Sequence, residues 1–533
     1  MAILDWFLTT AERDNPRTVL SRRHPQHLGV THTDGNEVRA HIDGSAYFVA
    51  LREALELTRA GDLVMFTDWR GDLDERLGPG GPPVGELLAQ LAARGVLVKG
   101  LFWHSRWDRM ASSEAENRTL ARDIERAGGE VLLDLRVLPL GSHHQKFVVL
   151  RHPGRPELDT AFVGGIDLCH TRNDDSDHAG DPQAVRMGRV WGPTPPWHDV
   201  MLQVWGPAVG DVEASFRERW DDPTPRMLDP IELGRLALGS GGRGGPLPAQ
   251  LPDPPARGTA SVQVLRTYPP KVPPFPFAPL GERSIARGYE KAVGRATSLI
   301  YVEDQYFWGG EVVSCFARAL AAQPGLRLIV VLPHHASQDG WLGRASQAAR
   351  AEALEEVLRA GPGRVGVYGL ENATGTPVYV HSKVCVVDDA WACVGSDNVN
   401  RRSWTHDSEL SCAVHDPAGD TGEPSLVDDA GDGTRTFARD LRVRLAREHL
   451  DRSEGADADL VDPLAAFEAF RSSAARLQAW YDGGRCGPRP PGRLRPYASP
   501  AVSGVDQLVG GVVARFAGDP DARPLPLQWF GRF

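Results

Sequence analysis

The stretch GSHHQKFVVL (141–150) sets two histidines and a lysine at the head of an apolar run that is typical of a buried β-strand. A second stretch, VHSKVCVVDD (380–389), has the same pattern of histidine, lysine and apolar run. The two motifs are separated along the chain by nearly the same interval as two other strand-like segments, DLVMFTDW (62–69) and SLIYVEDQ (298–305). A polar motif that recurs at the interval of its neighbouring strands indicates a duplicated fold.

Each motif belongs to a part of the chain with the same order of predicted elements: helix, strand, helix, strand. These elements are 45–61, 62–69, 84–95 and 96–103 in the first copy, and 283–296, 297–308, 311–325 and 326–335 in the second. Helices that alternate with β-branched apolar runs favour α/β units with largely parallel strands. We therefore predict two similar lobes, each a mixed, mostly parallel sheet sandwiched by helices, related by pseudo-twofold symmetry with the active site between them.

The predicted domain boundaries follow from the repeat and from one stretch rich in Gly and Pro. LGSGGRGGPLPAQLPDPPARG (238–258) has the composition of a linker. Residues 1–237 are predicted to form the N-terminal lobe and residues 259–475 the C-terminal lobe. Residues 476–533 are predicted to be a C-terminal tail that contains Pro and Arg.

The composition argues against several partners and locations. The 533-residue chain has a formal net charge of -11, so we predict no nucleic-acid partner. The first residues lack the apolar core of a secretory signal peptide, and no apolar run approaches the roughly 20 residues of a transmembrane segment. The six cysteines show no C-x-x-C spacing and are interpreted as reduced. The expected location is the cytoplasm, with peripheral contact to a membrane.

Both motifs offer an imidazole and an ammonium group on one face of a strand, because alternate side chains of a strand share a face. The pairs are His144 with Lys146 and His381 with Lys383. Each motif is followed by small or polar residues suited to contact phosphate oxygens: Gly165 and Asp167 in FVGGIDLC (162–169), Ser396 and Asn398 in CVGSDNVNRRS (393–403). If the lobes bring these groups together, the pocket has what cleavage of a phosphodiester without a metal needs.

The chemistry assigns one role to each group. One neutral imidazole attacks phosphorus and forms a phosphohistidine, while the other, protonated, gives its proton to the departing alkoxide. The lysines and Asn398 offset charge on the non-bridging oxygens. Each histidine also needs a carboxylate to fix its tautomer, and the candidates are Asp199 in TPPWHDVMLQ and Glu409 in THDSELS. No residues have the spacing of a zinc or calcium site, so no metal or other cofactor is predicted for the chemistry.

These motifs resemble those of the phospholipase D superfamily, and the wider sequence is most similar to its phosphatidylcholine-type branch. The matching segments include TDW (67–69), HHQK, FVGGIDLC, PWHDV (196–200), GPAV (206–209), FRERW (216–220), IYVEDQYF (300–307), HSKVCVVD, GSDN, RRS, DSEL (407–410) and REHL (447–450). The resemblance implies a bilobal α/β/α fold and metal-free hydrolysis or alcohol exchange at the headgroup phosphodiester of a glycerophospholipid. It also implies that His144 is the nucleophile and His381 the acid, oriented by Asp199 and Glu409 respectively. The residues alone leave open which histidine attacks.

One position departs from the family pattern. After Lys146 and four further residues the chain has Arg151 where the pattern has Asp, whereas the second motif keeps Asp388. The segment RHPGRPELDT (151–160) is interpreted as a lengthened hairpin in which Asp159 supplies the missing carboxylate from the far end. A carboxylate at this point of the strand faces away from the His and Lys, so we predict a structural role for Asp388 and Asp159.

The sequence therefore predicts a phospholipase D-type enzyme that acts on a phospholipid at a membrane surface, with water or an alcohol as acceptor. A monomer is expected because one chain carries both half-sites. Two alternatives stay open. One is a metal-independent phosphodiesterase or nuclease with a non-lipid substrate, and the other is a catalytically silent lipid-binding relative, for which Arg151 is the supporting feature.

Overall fold

The computed structural model describes residues 3–24, 29, 31–104, 114–224, 244–339, 341–416, 436–498, 518–529, 531 and 533. The strands of the first lobe are β1 (Thr33–Ile42), β2 (Leu63–Asp68), β3 (Leu97–Trp103), β4 (Glu130–Asp134), β5 (Phe147–Arg151), β6 (Thr160–Gly164), β7 (Trp197–His198) and β8 (Val200–Trp205). They form a mixed sheet with the spatial order β4–β3–β2–β5–β6–β8–β1, and β7 lies outside it. Their β-branched and apolar side chains are buried on both faces, as sheets covered by helices require.

The second lobe repeats this sheet. Its strands are β9 (Ala260–Tyr268), β10 (Glu282–Arg283), β11 (Leu299–Glu303), β12 (Arg327–Val331), β13 (Val365–Glu371), β14 (Pro377–Val380), β15 (Val384–Val387), β16 (Trp391–Gly395), β17 (Glu409–His415) and β18 (Leu494–Pro496). The spatial order β13–β12–β11–β15–β16–β17–β9 matches that of the first lobe strand by strand. The duplication indicated by the two His-Lys motifs is therefore present in the backbone topology.

Helices cover both faces of the two sheets. They are α1 (Thr10–Arg13), α2 (Gly44–Glu56), α3 (Val84–Ala93), α4 (Glu114–Arg126), α5 (Ala208–Trp220), α6 (Ser284–Val293), α7 (Gly310–Ala322), α8 (Trp341–Ala360), α9 (Arg401–Thr405), α10 (Thr436–His449), α11 (Ala458–Val461), α12 (Pro463–Asp482) and α13 (Leu525–Trp529). Helices α2 and α3 pack on the outer face of the first sheet, and α6 and α7 on that of the second. A third apolar core, with α5, α10 and α12, is continuous across both lobes. None of the helices among the described residues combines the length and apolar character that crossing a bilayer requires.

The predicted α/β class with two similar lobes is confirmed. Parallel neighbours within the sheets are β2, β3 and β4 in one lobe and β11, β12 and β13 in the other, which are the strands of the helix–strand units. The remaining neighbours run antiparallel, because short connections without an α-helix join β5 to β6 and β15 to β16. Antiparallel pairing therefore has a larger share than the alternation of helices and strands indicated.

Backbone pairing joins the lobes directly. Strand β1 runs antiparallel to β9, β7 runs parallel to β14, and His143 forms an isolated bridge with Ser408. These contacts fix the relative position of the two His-Lys motifs. Strand β14 ends directly before His381, and the His143 bridge lies directly before His144.

The segments predicted to be linker and tail are partly integrated into the fold. From residue 244 the linker has no helix or strand, and its backbone oxygens accept hydrogen bonds from α5, such as that from Trp220 Nε1 to Gly245 O at 3.0 Å. Residues 238–243 lie outside the described part. Beyond residue 475, α12 continues to Asp482 and β18 extends the second sheet at β13. The proposed domain boundaries themselves stay predictions.

Candidate active site

The His-Lys motifs lie just before their strands and not within them, which corrects the expectation that each pair shares a strand face. Strand β5 begins at Phe147 and β15 at Val384, directly after the lysines. Lys146 Nζ donates a hydrogen bond to the main-chain oxygen of His144 at 2.9 Å, and Lys383 Nζ does the same to His381 O. Each lysine therefore folds back on its own motif, which places its ammonium group beside the imidazole.

Each motif is held by the backbone of the opposite lobe. The amide N–H of His144 donates to Ser408 O at 2.9 Å, and that of His381 donates to His198 O at 2.8 Å. Ser408 and His198 immediately precede the two candidate orienting carboxylates, Glu409 and Asp199. The main-chain hydrogen bond that holds each histidine therefore also brings a carboxylate of the other lobe next to its imidazole.

The pairing of histidines with carboxylates is the reverse of the sequence expectation. His144 Nδ1 lies 2.9 Å from Glu409 Oε2, and His381 Nδ1 lies 2.6 Å from Asp199 Oδ2. The expected assignment, Asp199 for His144 and Glu409 for His381, is wrong because each carboxylate orients the imidazole of the opposite lobe. Since Nδ1 of each ring is engaged, Nε2 is the ring atom left for chemistry.

Two residues predicted to contact phosphate lie against the orienting carboxylates. Ser396 Oγ donates to Glu409 Oε2 at 2.5 Å. At the corresponding position of the other lobe, a Cβ on Gly165 would overlap Asp199 Oδ1, so the glycine makes room for that carboxylate. Both residues are therefore placed where they help to position an orienting group.

Asp167 and Asn398 occupy the next pair of equivalent positions but have different surroundings. The Asp167 carboxylate accepts the N–H of Trp69 at 3.0 Å and faces Lys146 Nζ and Arg172 Nη2, each at 3.6 Å. A negative group in this position repels phosphate and instead holds the two cations. Asn398 is buried, and its Oδ1 has no hydrogen-bond partner among the described residues. Of the two side chains, only that of Asn398 has a donor for a phosphate oxygen, its Nδ2–H₂ group.

The charges around the site favour neutral imidazoles. Burial, together with Lys146 and Lys383, lowers the pKa of His144 well below its usual value. Burial, Lys383 and Arg172 do the same to the pKa of His381. Because Lys383 acts on His144 of the other lobe, the two motifs lie within electrostatic reach of each other. A neutral ring that donates its Nδ1–H to a carboxylate carries a lone pair on Nε2, as a nucleophile requires.

Burial also shifts the pKa of the groups that surround the imidazoles. It lowers the pKa of Lys383 to about 8, an effect that Asp199 opposes. Burial and the neighbouring Asp407 raise the pKa of Glu409 to about 8. Desolvation thus disfavours the charged form of the cation and of the carboxylate alike.

Comparison with known families agrees with this geometry. The family model described as "Phospholipase D" matches residues 73–233 and 367–495, which is more than half of the chain and includes both His-Lys motifs. The chain belongs to the phospholipase D family. A second model, "Cardiolipin synthase, PLD-like domain", matches residues 290–423.

Curated relatives of this phospholipase D family member include plant enzymes. The chain is 26% identical over 459 residues to "Phospholipase D alpha 1" of Cynara cardunculus, an alignment that covers 64% of this chain and 56% of that protein. It is 27% identical over 467 residues to "Phospholipase D alpha 2" of Oryza sativa subsp. japonica, with the same coverage. The chain therefore spans about half the length of the curated relatives it matches. Among solved structures, phosphatidylserine synthase from Haemophilus influenzae Rd KW20 aligns with a TM-score of 0.47 and 14% identity over 71% of this chain and 82% of that one.

The departure from the phospholipase D pattern at Arg151 lies away from the chemistry. Arg151 is buried at the far end of β5 from Lys146, where Nη1 donates to Glu213 Oε2 at 2.6 Å and Nε lies 2.9 Å from Asp159 Oδ2. It ties the β5–β6 hairpin to α5, and none of its described partners is a predicted catalytic group. The silent-relative alternative therefore loses its supporting feature.

Asp159 does not take over the contacts of Asp388, contrary to the sequence interpretation. The Asp388 carboxylate accepts the main-chain N–H groups of Thr297, Ser298 and Leu299 at 2.7–2.9 Å, which fixes the start of β11. Asp159 instead accepts the N–H of His152 at 2.6 Å and pairs with Arg151. Both contacts are structural, but they stabilise different parts of their lobes.

Sequence reasoning assigned no role to a buried polar cluster directly behind the second motif. One ligand atom each from Asp43, His178, His198 and Glu448 lies within 4.8 Å of the others, and so does one each from His198, Glu303 and His449. Four of the residues come from segments already noted as family marks: His198 from PWHDV, Glu303 from IYVEDQYF, and Glu448 and His449 from REHL. The sequence signal for this cluster was the presence of a histidine and a glutamate within otherwise apolar segments.

Proposed function

We propose that the protein cleaves the headgroup phosphodiester of a glycerophospholipid by hydrolysis or alcohol exchange, through a phosphohistidine intermediate. The observation that carries the proposal is the crossed arrangement of two imidazoles, each with Nδ1 on a carboxylate of the other lobe and each beside a lysine. Such a site holds a nucleophile and an acid for one phosphorus atom, with cations for the non-bridging oxygens.

In the first step, Nε2 of His144 attacks phosphorus while the bond from phosphorus to the headgroup oxygen breaks. The departing alkoxide takes a proton from Nε2 of His381, and the headgroup leaves as an alcohol. Burial, Lys383 and Arg172 lower the pKa of this ring in the free site, and His381 carries the proton once the bound anionic phosphodiester offsets the two positive charges. The family resemblance assigns the roles in this direction. Asp199 and Glu409 engage Nδ1 of the two rings, which leaves both Nε2 atoms for the phosphate. Proton transfer of this kind typically contributes about 10² to 10⁴ in rate.

In the second step, the now neutral His381 takes a proton from water or from an alcohol. The resulting oxygen nucleophile attacks phosphorus, and the bond between phosphorus and His144 Nε2 breaks. The product is phosphatidic acid when water attacks and a new phosphatidyl ester when an alcohol attacks. Both histidines regain their initial protonation states, so the cycle closes without a further reactant.

Lys146, Lys383 and the Asn398 amide are the proposed partners of the non-bridging oxygens. Both ammonium groups already donate a hydrogen bond to a main-chain oxygen, so they need little reorganisation when the phosphate binds. Arg172 adds a third positive charge, with its guanidinium 4.0 Å from the ring centroid of Trp197. We propose no metal or other cofactor for the chemical step.

The substrate class is supported by the family and by the names of the plant relatives. We propose a phospholipid at a membrane surface as substrate, peripheral contact with that surface, and a monomer that has both half-sites in one chain. The net charge of -11 does not favour nucleic acid as the natural substrate.

The function is tested by incubating the purified protein with phosphatidylcholine vesicles in chelator and ethanol. We expect phosphatidic acid and phosphatidylethanol, because a covalent phosphatidyl intermediate reacts with either acceptor. Cleavage of bis-p-nitrophenyl phosphate without any lipid product would instead support the non-lipid phosphodiesterase. Absence of turnover on both substrates would contradict an enzymatic role.

A further inference from the structure

Glu303 is a buried carboxylate with all of its acceptor capacity in use. Oε1 accepts hydrogen bonds from Tyr301 OH at 2.5 Å and His449 Nε2 at 2.7 Å, and Oε2 accepts from Ser382 Oγ at 2.7 Å and His198 Nε2 at 2.9 Å. A carboxylate offers about four acceptor sites. The donors come from separate segments of both lobes, so Glu303 is a junction between them.

Two of these donors connect Glu303 to the second motif. Ser382 stands between His381 and Lys383, and its hydroxyl donates to Glu303 Oε2. His198 accepts the amide N–H groups of His381 and Ser382 with its main-chain oxygen, at 2.8 and 3.2 Å. The backbone of the motif is therefore fixed from one side by Glu303 through a side chain and through a neighbouring main chain.

His198 is itself held on both sides of its ring. Nε2 faces Glu303, while Nδ1 lies 3.0 Å from Asp43 Oδ1 and 3.1 Å from Glu448 Oε1. All four side chains are buried or nearly so. Ion pairs of this kind resist displacement, because separating them leaves an uncompensated charge in the interior.

The first lobe has a different arrangement at the position equivalent to Glu303. The position equivalent to Glu303 is Thr67, since Thr67 pairs with Phe147 across β2 and β5 as Glu303 pairs with Val384 across β11 and β15. Thr67 Oγ1 forms a hydrogen bond with His143 Nε2 at 2.5 Å. The residue equivalent to Ser382 is Gln145, which bonds to Tyr268 OH at 2.9 Å and to Glu409 O at 3.0 Å. The first motif is instead held by a carboxylate at its start, where the Ser142 N–H donates to Asp407 Oδ1 at 2.9 Å. Among the described residues, a carboxylate bonded to the residue between the histidine and the lysine is found in the second motif and not in the first.

We propose that Glu303 is a positioning residue for His381 and Lys383, acting through the Ser382 hydroxyl and through His198. The proposal rests on the proposed function, because an effect of Glu303 on catalysis can be measured only if the protein turns over a phosphodiester. Its structural part, the rigidity of the second motif, is independent of any substrate.

The most selective test removes the Ser382 hydroxyl and leaves both charged residues in place. We expect Ser382→Ala to lower kcat for phosphatidylcholine by about tenfold or more, with a smaller effect on KM, because a displaced His381 gives its proton to the headgroup less readily while Lys146 still binds the phosphate. Hydrogen exchange measured by mass spectrometry should be faster at the amides of residues 381–383. Ser314→Ala is the matched control, since Ser314 Oγ also donates to a glutamate, Glu356 Oε1 at 2.6 Å, on the outer side of the second lobe.

Wild-type kcat and unchanged exchange at 381–383 in Ser382→Ala would overturn the proposal. Equal losses in Ser382→Ala and Ser314→Ala would do the same, since they would reflect a general loss of stability. If the wild-type protein turns over no phosphodiester, the proposed function fails, but the exchange comparison between the two variants still decides whether Ser382 fixes the motif.

Discussion

His144→Asn and His381→Asn should each reduce the turnover of phosphatidylcholine by at least about a thousandfold, because each removes the only Nε2 atom that performs its step. Neither ring belongs to an apolar core, and asparagine keeps an amide near the position of Nδ1. The variants should therefore fold. His170→Asn is the matched control, since its ring bonds to Asp74 Oδ1 at 2.9 Å outside the proposed machinery. Full activity in either of the first two variants would contradict the two-histidine mechanism.

The same variants separate the two roles when the leaving group needs no proton. p-Nitrophenolate leaves as a stable anion, so the first step on bis-p-nitrophenyl phosphate does not depend on an acid. We expect His381→Asn to release a burst of nitrophenolate that matches the enzyme concentration, and His144→Asn to release none. The opposite result would exchange the roles of nucleophile and acid while keeping the site.

Glu409→Gln and Asp199→Asn should each lower kcat by about 10² to 10⁴, because the amide no longer holds the required tautomer of its histidine. The crossed pairing predicts which ring responds. In spectra of protein labelled with ¹⁵N at histidine, Glu409→Gln should shift the ring signals of His144 and Asp199→Asn those of His381. The signals are assigned by their absence in the His→Asn variants.

A matched control and a clear contrary outcome exist for this experiment. Glu37→Gln removes a carboxylate that pairs with Arg257 at the surface and should leave both rings and the turnover unchanged. A shift of His381 on Glu409→Gln, without a shift of His144, would show that the carboxylates act within their own lobes.

The duplicated fold was predictable because its signal is redundant. The strands around DLVMFTDW and SLIYVEDQ are long apolar runs, and the same His-x-Lys pattern follows both, so an error in one element does not hide the repeat. The convergence of His144 and His381 followed from that symmetry. The antiparallel pairing of β5 with β6 and of β15 with β16 was harder to predict, because an apolar run in the sequence does not indicate the direction of the strand beside it.

The crossed carboxylates were not predictable from the chain alone. Asp199 follows β7, and β7 pairs with β14 of the other lobe, so its partner is decided by a contact between distant segments. The role of Arg151 was likewise not predictable, because its partner Glu213 is on α5, far away in the sequence. The residue that departs from the family pattern forms a structural ion pair there. Glu303 was missed because its donors come from separate segments that meet only in the folded protein.

We propose that both lobes build one site, in which a covalent phosphatidyl intermediate forms. The most direct test measures the ratio of phosphatidylethanol to phosphatidic acid at one ethanol concentration for phosphatidylcholine, phosphatidylethanolamine and phosphatidylglycerol with identical acyl chains. If a common intermediate forms after the headgroup has left, the ratio is the same for all three lipids although their rates of cleavage differ. A ratio that changes with the headgroup would contradict the account, because the acceptor would then react before the headgroup departs.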